Sequence, residues 1–131
     1  MANALVHAIG AQAVFPNRQV VSLSDDGGFT IMMGEFVTLL QHDLPVNVLN
    51  NGTFGFVELE TTARGFLDTN VALTNPDFAA LARAMGIKGL RVERPQDLKA
   101  ALAEAFQRPG PALVDVVSAR QDLSCPGDDT R

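Results

Sequence analysis

Apolar positions along this chain change period several times, and each change marks an element that the sequence predicts. From about Ala2 to Phe15, Ala4, Leu5, Ala8, Ile9 and Ala11 fall at helical spacing, and Pro16-Asn17 ends the run. Val20–Leu23 is a short β-rich segment closed by Asp25-Asp26-Gly27-Gly28. Thr30 to Gln41 predicts a helix that is apolar over most of its circumference and therefore buried. Leu44-Pro45 restarts the chain as strand Val46–Leu49, and Asn51 to about Thr74 lacks clean periodicity and reads as a long loop. Asn75-Pro76 predicts a helix start with Asn75 as N-cap; Phe78, Leu81, Ala82 and Met85 then share one face, and Gly86 stops the helix. Leu90–Val92 is a third strand. Pro95 opens a helix with Leu98, Ala101, Leu102, Ala105 and Phe106 inward, and Ala112–Val117 is a fourth strand after Pro109-Gly110-Pro111.

Strands alternating with helices predict an α/β fold, a mainly parallel sheet flanked by helices with right-handed crossovers. Continuous apolar runs such as VVSL and ALVDVV suit strands covered on both faces. Ligands of such sheets bind beyond the carboxyl ends of the strands, where both Asp25–Gly28 and Asn50-Asn51 lie.

Composition narrows the function classes. A length of 131 residues is that of one domain, and a net charge of −5 without a basic cluster argues against nucleic acid or anionic membrane as partner. No apolar run approaches the roughly 20 residues of a transmembrane span. The apolar N-terminus has no Lys or Arg before Arg18, unlike a signal peptide, and the single cysteine, Cys125, fits a reducing cytoplasm. No catalytic residue stands out. His7 and His42 lack a second histidine or a paired acid, Glu58 and Glu60 read as solvated, and Arg91 and Arg94 read as surface charges.

The chemistry concentrates at the strand ends. A carboxylate and two glycines where a strand meets a helix, with amides after the next strand, suit a magnesium ion held against a diphosphate. Asp, Asn and Gly are also ordinary turn residues, so the same two segments fit a pair of tight turns.

The runs MANALVHAIGAQAVFPNRQVVSLSDDGGFTIMMGEF, LPVNVLNNGTFGFVELE, NPDFAALARAMGIKGLRVE and GPALVDVV carry a resemblance. From Met1 to about Ser124 the chain is similar to the C-terminal thiamine-diphosphate-binding domain of thiamine-diphosphate-dependent enzymes, most of all to quinone-dependent pyruvate dehydrogenase and pyruvate oxidase. The resemblance implies a diphosphate-domain fold over residues 1–123, truncated at its N-terminus, with 124–131 as a tail. It implies Asp26 and Asn51 as magnesium ligands with the carbonyl of Thr53, and Gly27, Gly28 and Asn51 as cofactor contacts. Met1 would prop the bent cofactor. Phe54, Gly55, Phe56 and Glu58 would either face the cleft or pack the loop.

The expected partners are pyruvate or a related 2-oxo acid and a pyrimidine-binding domain or subunit that supplies the activating glutamate. FAD belongs to the parent flavoprotein family, on a domain absent from this sequence. The chain by itself is expected to bind cofactor weakly, to give no turnover, and to self-associate through the uncovered helix Thr30–Leu40.

Three features depart from the pattern. Asp25 replaces the first glycine of the signature. The segment between Gly27 and Asn50 is shorter by two residues, about 6.6 Å of strand. SCPGDDTR ends the chain in place of the usual continuation. The first two features leave open a non-catalytic remnant with a decayed metal site. A receiver-like signalling domain is a third, distant reading.

Overall fold

The computed structural model describes residues 2–42, 44, 46–50, 64, 74–107 and 109–117, with 46–50 as backbone. The elements are α1 (Asn3–Val14), β1 (Val20–Ser24), α2 (Asp26–Met32), a 3-10 turn (Met33–Glu35) and α3 (Phe36–Gln41). They continue with β2 (Val46–Asn50), α4 (Phe78–Ala84), β3 (Lys88–Val92), a second 3-10 turn (Pro95–Asp97), α5 (Leu98–Gln107) and β4 (Ala112–Val116). The four strands form one sheet in the order β1-β2-β4-β3, and all three pairings are parallel. This is the α/β architecture that the alternation of elements predicts.

β4 is buried along nearly its whole length, and its alternating side chains enter cores on both faces of the sheet. Leu113 enters one core with Leu5, Phe29, Phe36, Leu39, Phe78 and Ile87, contributed by α1 to α4 and the turn before β3. Its neighbours Ala112 and Val114 point the other way, into a smaller core with Val92 and Ala105 beneath α5. The edge strand β1 is half-covered: Ser22 is buried, whereas Val21 and Leu23 on the opposite face are exposed.

Three elements differ from their sequence expectation. The predicted helix Thr30–Gln41 starts four residues earlier, at Asp26, and breaks at the 3-10 turn around Gly34, a poor helix former. It is not buried all round, since Ile31 and Val37 are 60% and 55% exposed. Phe106, expected inward, is exposed at the end of α5. Finally, α4 is capped by Asp77 rather than Asn75, because the Asp77 carboxylate accepts the Ala80 N–H at 2.8 Å. A cap of this kind contributes about 1 kcal/mol. Gly86 ends α4 as expected, with φ +84° in the left-handed region.

An aromatic cluster positions the carboxyl end of the sheet. The Phe29 ring lies 5.0 Å from Phe36 and meets Phe78 edge-on at 5.3 Å, joining α2, α3 and α4. Asp26 precedes Phe29 by three residues, and Asn75 precedes Phe78 by three. The ring contact therefore brings the first turn of α2 and the approach to α4 together.

Candidate functional site: the acidic turn after β1

β1 and β2 pair with Ser24 opposite Asn50, so their carboxyl ends lie side by side despite the short connection. Asn51, Thr53, Met1, Glu58 and the segment Phe54–Phe56 lie outside the described residues, as do Cys125 and the tail.

Immediately beyond β1, Asp25 has an extended backbone and caps α2. Its carboxylate accepts the Gly28 N–H at 2.6 Å, while its carbonyl accepts the Phe29 N–H at 2.9 Å. A Cβ on Gly28 would stand 2.4 Å from the Asp25 Oδ1, so glycine is required there while the cap is made. The same Cβ would lie 3.4 Å from the Ala2 backbone nitrogen, which brings the start of α1 against this turn.

Asp26 opens α2 and is 1% exposed. Its Oδ1 accepts the Gly27 N–H at 2.8 Å, its Oδ2 accepts the Asn75 side-chain amide at 2.5 Å, and its carbonyl accepts the Thr30 hydroxyl at 2.7 Å. Both carboxylate donors are neutral. Among the described residues, no Lys or Arg forms an ion pair with Asp26. Burying a carboxylate without a countercharge costs several kcal/mol. Each of its oxygens retains acceptor capacity, which is what a hard cation requires. Of the expected ligands Asp26 is the described one, and its chemistry fits magnesium.

The two glycine N–H groups make bonds within the turn itself. Both are already engaged, Gly27 by Asp26 and Gly28 by Asp25. A diphosphate reaching the Gly28 N–H would have to displace the Asp25 carboxylate. Among the described residues there is no group of three or more His, Cys, Asp or Glu arranged for a metal. The expected set contains a single carboxylate and would not form such a group.

Sequence reasoning missed two partly buried polar contacts near the strand ends. Asn75 has the sequence position of a helix cap, but its amide reaches Asp26 across 49 positions. Asp115, buried in β4 at 3% exposure, stands beside Asn50 in register and accepts a bond from Arg91 at 3.0 Å. Arg91 is thus more than a surface charge. Its pKa is raised, chiefly by its hydrogen bond to Glu93; burial opposes this, and the charges of Asp115, Asp77 and Glu93 each add a smaller upward push. An acid inside the apolar run ALVDVV was the available signal for Asp115. Arg94 pairs with Asp97 on the surface, and His7 and His42 are exposed. No described helix is long and apolar enough to cross a membrane.

Comparison with known proteins bears directly on this turn. The chain is 37% identical over 112 residues to the Bacillus subtilis putative thiamine pyrophosphate-containing protein YdaP, covering 84% of this chain and 20% of that protein. It is 31% identical over 131 residues to the acetolactate synthase large subunit of Cyanidium caldarium, covering 96% of this chain and 22% of that subunit. The chain thus spans about a fifth of the length of these curated relatives. Among solved structures, the Rhodococcus jostii RHA1 thiamine diphosphate-dependent 4-hydroxybenzoylformate decarboxylase superposes with a TM-score of 0.83 at 25% identity, over 90% of this chain and 23% of that one. None of these three is named as a pyruvate oxidase or a quinone-dependent pyruvate dehydrogenase, so the comparisons support the superfamily and not that finer group. The family described as thiamine pyrophosphate enzyme, C-terminal TPP binding domain, matches residues 1–116, which include β1, the acidic turn and all four strands. With fold, turn and sequence in agreement, the chain belongs to the C-terminal TPP-binding domain family of thiamine pyrophosphate enzymes.

Proposed function

We propose that this chain holds the diphosphate end of thiamine diphosphate through a magnesium ion, with Asp26, Asn51 and the Thr53 carbonyl as protein ligands. The observation that carries the reading is the buried Asp26 carboxylate with two neutral donors and no basic partner among the described residues. One acid, one amide and one carbonyl leave half of an octahedral shell for phosphate oxygens and water. Gly27 and Gly28 face the diphosphate, which takes the Gly28 N–H in exchange for the Asp25 carboxylate, and Met1 serves as the prop behind the cofactor.

When bound, the cofactor supplies an electron sink for cleavage next to a carbonyl. The chain's own part is to anchor and orient one end of it. In the whole enzyme the substrate is a 2-oxo acid that loses carbon dioxide, and the sequence resemblance favours pyruvate, with electrons passing through FAD on another domain to a quinone. The other domains, or a second copy, cover the exposed apolar side chains Ile31, Val37 and Leu23. The chain alone binds cofactor without turnover, as a cytoplasmic protein.

Thermal melting of the full chain tests the binding step. At a hundredfold excess over Kd, magnesium with thiamine diphosphate adds about 2.7 kcal/mol, a rise of several degrees in Tm. An unchanged midpoint overturns the reading.

One observation favours a second reading, a remnant whose site has decayed: Asp25 occupies the Gly28 N–H and adds a negative charge beside the diphosphate. The variant Asp25→Gly distinguishes the two. Glycine is a tolerated cap, so stability falls by only a few tenths of a kcal/mol. Removing the like charge tightens cofactor binding at least fivefold, about 1 kcal/mol, by calorimetric titration. A decayed site shows binding in neither protein. The family match sets aside the receiver-like alternative.

A further inference from the structure

We infer that Asn75 is a positioning residue for the metal-binding carboxylate, so that the segment entering α4 sets the affinity of a site built on α2. The inference rests on the reading that Asp26 is a magnesium ligand. The Asn75 amide donates to Asp26 Oδ2 at 2.5 Å while the Gly27 N–H holds Oδ1 at 2.8 Å. Together the two donors fix the plane of the carboxylate and leave one acceptor direction on each oxygen for a cation. Donors of this kind around a metal ligand restrict its rotation, and their loss typically costs about 10- to 100-fold in metal affinity.

The platform beneath Asn75 is rigid for local reasons. Pro76 biases the preceding residue to an extended backbone, and Asp77 caps α4 directly afterwards. Phe78 then anchors the helix edge-on against Phe29, one turn beyond Asp26. The two polar residues therefore meet because the two rings below them are packed. Asn75 itself is exposed, so truncating it uncovers no core.

The test compares wild type, Asn75→Ala and Asn75→Asp as full chains, by calorimetric titration with magnesium and thiamine diphosphate and by melting without metal. Asn75→Ala is expected to weaken magnesium-dependent cofactor binding about tenfold with a nearly unchanged metal-free midpoint. Asn75→Asp sets a second carboxylate against Asp26. Its metal-free midpoint should fall, and magnesium alone should restore it. Equal cofactor affinity in wild type and Asn75→Ala overturns the inference while leaving the binding site intact, as does a fall in the metal-free midpoint of Asn75→Ala without any change in affinity. No binding by wild type overturns both the inference and the proposed function.

Discussion

Alanine at position 89 is expected to unfold the chain or to destabilise it by at least about 3 kcal/mol, the upper end of what overpacking usually costs. A Cβ there would stand 2.0 Å from the Ala79 carbonyl oxygen, 2.7 Å from its carbon and 2.9 Å from the Ala79 Cα. These are backbone atoms, so no side chain can swing aside. Nor can either element retreat cheaply. β3 is held in register with Leu113 of β4, and α4 is fixed by the fully buried Ala79 and Ala82 and by Arg83, which donates to the Gly89 carbonyl at 2.9 Å. Lifting α4 away would open the larger core and carry Asn75 off Asp26. Gly10 is the control. Among the described residues, nothing outside its own helical backbone lies within 4 Å of its added Cβ, and alanine in the middle of α1 should stabilise by about 0.5–1 kcal/mol. Urea denaturation separates the two, and a Gly89→Ala chain within about 1 kcal/mol of wild type would contradict this packing.

Exchanging Asp26 for asparagine should separate folding from binding. The amide has nearly the shape of the carboxylate. Its oxygen can still accept the Gly27 N–H, and an amide flip at Asn75 lets that residue accept from the new NH2 group. The buried charge is lost, and with it the desolvation cost that no described basic residue offsets. Without metal, Asp26→Asn is therefore expected to be at least as stable as wild type, to within about 1 kcal/mol. Magnesium-dependent binding of thiamine diphosphate should weaken by at least 100-fold, about 2.7 kcal/mol. A carboxylate serving only as a structural partner predicts the reverse: lower metal-free stability and unchanged binding.

The architecture was legible because the apolar period switches between helix and strand and the breaks fall at Pro and Gly. The start of α2 was harder to read. Gly27-Gly28 looks like a turn, yet the Asp25 cap makes both glycines part of the first helical turn. Asn75-Pro76-Asp77 offers two capping residues, and local propensity cannot choose between them. Asp77 takes the role, and the Phe29–Phe78 contact turns Asn75 toward Asp26 instead. The ion pair between Arg91 and the buried Asp115 joins neighbouring strands 24 positions apart, so it follows from strand order rather than from any local pattern. Of the candidate ligands, the strand ends and Asp26 could be followed from sequence to geometry. Asn51 and Thr53 stand beyond the last described residue of β2.

The most direct measurement is a crystal structure of the full chain grown with thiamine diphosphate and manganese in place of magnesium, read by anomalous scattering. One manganese ion should sit within about 2.2 Å of an Asp26 carboxylate oxygen, share its shell with Asn51, and bridge to the diphosphate. Cofactor bound with its metal away from Asp26, or crystals at saturating cofactor with neither ligand beside that carboxylate, would contradict it.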